Sequence, residues 1–140
     1  SNYQYVDGTH TFYRLRLAAD PKVVVDQARD DAKDDLATAY TELMQLNFRD
    51  TGYAALEDLY SQANAEYYQG NVAFDRATLS GGNESLRHFA KAATAYTRCQ
   101  AHAMQVYEAL VPPPTSPSDL GLRLFGGDWA TWETAVGDAG

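Results

Sequence analysis

Cysteine is almost missing: Cys99 is the only one in 140 residues. A single thiol excludes an internal disulfide and any cysteine-rich zinc site. Long apolar runs are missing too. None approaches the roughly 18 residues that a membrane span needs. β-Branched residues are few and do not alternate with polar ones, so little or no sheet is expected. The compact catalytic signatures are also absent: no Gly-x-Ser-x-Gly, no Walker loop and no Gly-x-Gly-x-x-Gly. Positive charge is scarce, with 11 Lys and Arg against 19 Asp and Glu, a net charge of -8. That balance argues against nucleic acid and against an anionic membrane as partners. It leaves a basic protein partner open. There is no initiator methionine and no hydrophobic leader segment, so the start of the chain does not reveal a compartment.

What remains is a chain of 15.4 kDa with 45% apolar residues, enough for one domain with a real core. Three long stretches carry helical stripes. The first follows Asp20-Pro21, a cap residue and a first-turn proline. Its apolar positions are Val25, Ala28, Ala32, Leu36, Ala39, Leu43 and Leu46. Steps of three and four put them on one face. The second starts near Asp50-Thr51-Gly52 and carries Leu56, Leu59, Ala63, Tyr67, Gly70, Phe74 and Ala77. The third follows Ser80-Gly81-Gly82-Asn83, with Asn83 expected as its cap. Its stripe is Leu86, Phe89, Ala93, Tyr96, Ala103, Val106 and Leu110. Each helix is about 40 Å long at 1.5 Å per residue. Pro112-Pro113-Pro114 ends the third.

The fold class expected is all-α, an antiparallel up-down four-helix bundle with an N-terminal helical extension. Residues 1–19, rich in Tyr3, Tyr5, Phe12 and Tyr13, form the extension or helical hairpin. Residues 20–110 hold the three long helices. Residues 116–137, with Leu120, Leu124, Trp129, Trp132 and Val136, form a shorter C-terminal helix that Gly126-Gly127 should break or kink. All 140 residues are expected to make one domain.

Tested for chemistry, the chain offers little. Asp26, Asp30, Asp31, Asp34 and Asp35 crowd one helix. Such a run is usually a solvated face, and a helix lacks the carbonyls and glycine turn of a Ca²⁺ loop. A di-metal bundle needs inward Glu-x-x-His pairs. None occurs, and Glu84 and His88 stand alone at a spacing of four. No metal site and no cofactor are therefore expected. Cys99 sits mid-helix, three residues before His102, where a small buried hydrophobe is a better fit than a nucleophile. The expectation is that the protein is not an enzyme. Asn83-Glu84-Ser85 is a glycosylation sequon that matters only if the chain is secreted. Ten tyrosines should lie mostly at the core rim, with an exposed minority suited to a protein interface.

The order of short motifs resembles the plant pectin methylesterase inhibitor and invertase inhibitor family. That pattern runs Thr-x-x-Pro-x-Phe-Cys, about six residues, then Asp-Pro. Here Thr9-His10-Thr11-Phe12-Tyr13 is followed by Arg14 to Ala19 and Asp20-Pro21, with Tyr13 at the cysteine position. The family's Ala-Leu-Glu-Asp-Cys corresponds to Ala55-Leu56-Glu57-Asp58-Leu59. Its Ser-Gly-Asp-Tyr turn, small-residue stretch and Thr-Cys correspond to Ser80-Gly81-Gly82-Asn83, Ala90-Lys91-Ala92-Ala93 and Thr97-Arg98-Cys99. The match covers about residues 5–110. It departs in lacking both family disulfides and the Pro-Lys-Phe signature of invertase inhibitors.

The resemblance implies a secreted, apoplastic, non-catalytic inhibitor. It would occlude a plant cell-wall carbohydrate-active enzyme, pectin methylesterase or invertase, with one face of the bundle. The contacts expected are Tyr60, Asn64, Tyr67, Tyr68, Asn71, His88 and Lys91 on the second and third long helices. Two other readings compete. Loss of the disulfides fits a diverged, non-inhibitory relative, a pollen-type protein or an interaction module. An unrelated helical bundle would carry its default site in a pocket between helices.

Overall fold

The structure, a computed structural model, describes residues 8–126, and for residues 8–10 the backbone only. It is all-α: five helices, with no strand among the described residues. They are α1 (Gly8–Arg16), α2 (Pro21–Gln45), α3 (Thr51–Thr78), α4 (Gly82–Leu110) and α5 (Pro117–Phe125).

The long helices start where local chemistry dictates. The Asp20 carboxylate accepts from the backbone N–H groups of Lys22 and Val23, and Pro21 opens α2. Asp50 does the same for Gly52 and Tyr53 at α3. Each cap satisfies donors that the first turn leaves unpaired. The start of α4 differs from expectation. Gly81 is the N-cap, and no side chain caps the helix. Gly82 takes φ +58°, a left-handed conformation open to glycine, so Asn83 falls inside the first turn and stays exposed.

The three stripes face the core. Val25, Ala32, Leu36, Ala39, Leu43 and Leu46 of the first are buried, and Ala28 packs against them. In α3, Leu56, Ala63, Gly70, Phe74 and Ala77 are buried, with Leu59 and Tyr67 at the rim. In α4, Phe89, Ala93, Tyr96, Ala103, Val106 and Leu110 are buried. The α4 helix touches each of the other four. Its small residues Ala90, Ala92 and Ala93 are buried, which lets neighbours approach its backbone.

The N-terminal extension is a single described helix. Leu15 of α1 is buried, and the Thr11 and Thr94 hydroxyls lie 3.4 Å apart across the α1–α4 contact. Any partner helix before residue 8 lies outside the described residues. Of the helix expected over residues 116–137, the described part is α5. Ser116 caps it by accepting from the Asp119 N–H, and Gly126 follows it at φ +63°. Trp129, Trp132 and Val136 lie outside the described residues. Leu120 anchors α5 in the core. Its methyl group lies 2.8 Å from where a Cβ on Gly52 would stand, so that glycine leaves room for α5 against α3.

Candidate functional site

The seven residues expected at an interface fall on two different faces. Tyr60, Asn64, Tyr67 and Asn71 recur at four, three and four along α3 and form a half-buried line. At one end Tyr60 meets Tyr40 of α2, with ring centroids 5.7 Å apart. Further along, Tyr67 lies 5.8 Å from Tyr96 and 6.0 Å from Tyr68. Tyr68 is 61% exposed, Tyr40 49% and Met44, one turn beyond Tyr40, 43%. The result is an aromatic surface with Tyr40 and Tyr68 outward and Tyr60 and Tyr67 beneath. Burial, the neighbouring Tyr40 and the Cys99 thiol push the Tyr60 phenol above its ordinary pKa, so it stays a neutral donor. Asn71 serves the interior: its side-chain oxygen accepts a 2.7 Å hydrogen bond from the Tyr96 hydroxyl.

His88 and Lys91 lie elsewhere, in a groove of about 400 Å³ between α3 and α4. From α3 come Gln69, Val72, Ala73 and Arg76, and from α4 His88, Lys91, Thr94, Ala95 and Arg98. Three permanent cations and an imidazole therefore face one cleft, and no carboxylate lines it. Glu84 is exposed, and its carboxylate lies 3.9 Å from the His88 ring. Arg76, Lys91 and Arg98 make no ion pair among the described residues. Sequence reading singled out His88 and Lys91. It missed Arg76 and Arg98, whose role depends on which faces of two helices meet.

A third feature was also missed. Glu66 is buried on α3, and its carboxylate lies 2.5 Å from Nδ1 of His102 on α4. The signal was present: Glu66 sits three after Ala63 and four before Gly70, within the apolar stripe. Cys99 is buried close by. Burial first, then the Glu66 and Asp35 carboxylates, push its thiol up to about 12. A thiol held protonated is a poor nucleophile. Among the described residues no three of His, Cys, Asp and Glu are grouped to hold a metal ion. Of the acids of α2, Asp30, Asp31 and Asp34 are exposed, whereas Asp26, which pairs with Arg29, Asp35 and Glu42 are half-buried. Asn83 is exposed in the first turn of α4. No helix among the described residues is long and apolar enough to cross a membrane.

Comparison with protein-family models, with curated proteins and with solved structures returned no match for this chain.

Proposed function

We propose that this chain is a non-catalytic binding protein that recognises a basic partner protein through the aromatic α2–α3 face. The observation that carries the reading is the exposure of Tyr40, Met44 and Tyr68 on one surface, backed by Tyr60 and Tyr67. Tyrosine and methionine are enriched in interface cores, and a phenol supported from below offers large contact area at small entropic cost. The charge of the partner follows from α2, which carries Asp26, Asp30, Asp31, Asp34, Asp35 and Glu42. An acidic flank steers a cationic surface toward the tyrosines and raises the association rate.

The specific form of this reading is inhibition of pectin methylesterase or invertase by occlusion, in the apoplast, as the motif order implies. Short connections at residues 46–50 and 79–81 support the antiparallel, up-down arrangement of that family's bundle. One observation favours the non-inhibitory alternative: a lone buried thiol leaves the fold without the family's covalent cross-links. The test is inhibition of purified pectin methylesterase and acid invertase at apoplastic pH. Inhibition of one enzyme, weakened about tenfold or more by Tyr68→Ala, is the expected result. Full enzyme activity with no complex formed would remove the inhibitor reading.

A further inference from the structure

We propose that the α3–α4 groove is a binding site for a small polyanion of the phosphate class, a polyphosphate or a phosphorylated metabolite. The inference does not rest on the protein-binding reading, which uses a different face.

Among the described residues, two Lys or Arg side chains make ion pairs, Arg29 with Asp26 and Arg123 with Asp119. The three cations of this groove make none, and they share one cleft. Arg76 comes from α3, and Lys91 and Arg98 come from α4, so the positive charge is presented from both walls. No residue of α2, which holds the densest run of acids, lines the cleft. Like charges gathered without counter-charge repel one another, and a bound anion relieves that repulsion. Guanidinium groups suit phosphate because their planar donors engage two oxygens at once, and an ammonium adds a point charge. His88 places a ring N–H donor on the same wall. Gln69 offers an uncharged amide, and Val72 gives the wall an apolar stretch for a carbon skeleton. A volume of about 400 Å³ holds a ligand of sugar-phosphate or nucleotide size, not a folded partner.

The experiment is calorimetric titration of the whole chain with sodium tripolyphosphate at physiological salt, with citrate as a carboxylate polyanion. Saturable one-to-one binding of tripolyphosphate, with citrate clearly weaker, is expected. Arg76→Gln and Arg98→Gln each weaken it by about tenfold, whereas Lys33→Gln on α2 leaves it unchanged. Both arginines are exposed and make no ion pair among the described residues, so circular dichroism of these variants should match the parent. Three outcomes would overturn the proposal: no saturable binding, equal affinity for citrate, or an equal loss in Lys33→Gln. The last two mark unspecific charge attraction.

Discussion

Gly70 shows how much a single position can decide. It lies in the middle of α3, where glycine has no conformational advantage and costs roughly 1 kcal/mol against alanine. The reason for it is Tyr96: a Cβ at residue 70 would run into the Tyr96 ring. That ring is fully buried, and its hydroxyl reaches Asn71. Burial holds the phenol well above its ordinary pKa. Gly70→Ala therefore pits helix propensity against a clash with a ring that cannot move. The clash wins, with an expected loss of about 1–3 kcal/mol. Urea unfolding checks it: the midpoint should fall at unchanged m-value, and an equal or higher midpoint would refute the account.

Among the elements, α5 has the fewest means of holding its place. It is nine residues long, too short to persist alone. Leu120 gives it one buried anchor, and Arg123 provides the polar one. That guanidinium donates to the carbonyls of Ala109 at 3.1 Å, of Pro113 at 3.4 Å and of Pro112. It also pairs with Asp119 at 3.1 Å. One side chain thus satisfies acceptors at the end of α4, where the prolines supply no N–H donors. Arg123→Met keeps the stem and removes these bonds. Hydrogen exchange should show α5 amides losing protection by about tenfold or more, while the buried turns of α3 and α4 keep theirs. Uniform loss across all helices would show instead that α5 does not open on its own.

Over the whole molecule, charge is unevenly spread. Acids crowd α2, and unpaired bases crowd the α3–α4 groove. Crowding has a cost at Asp35, whose pKa is raised first by burial and then by Asp31 and Asp34. A carboxyl raised in the fold favours folding while protonated, and that advantage is lost as pH rises through its folded pKa. Asp35→Asn should therefore raise the melting temperature at pH 7. Its benefit should fade as pH drops below the ordinary 3.8 of the free group. A variant that melts lower at pH 7, or gains equally at pH 3, would contradict this sign. The same uneven charge lets one chain carry an acid-flanked aromatic face and a basic groove.

How far the sequence speaks can be followed through particular residues. The stripes from Val25 to Leu46, Leu56 to Ala77 and Leu86 to Leu110 were legible because helical periodicity is local. Asp20 was legible as a cap, and the segment at Asp50 as a helix start, because capping spans three residues. The start of α4 was not, because Gly82 settles it by a backbone angle that neighbouring residues do not announce. Helix faces came with the period. Which face meets which did not, since that depends on how α3 and α4 rotate against each other. Tertiary packing alone decided that Tyr96 needs Gly70, that Glu66 finds His102, and that Asn71 works inward. It likewise separated His88 and Lys91 from the tyrosines and set them beside Arg76 and Arg98. Local chemistry is written in spacings of three and four. The placing of charge across two helices is a property of their contact.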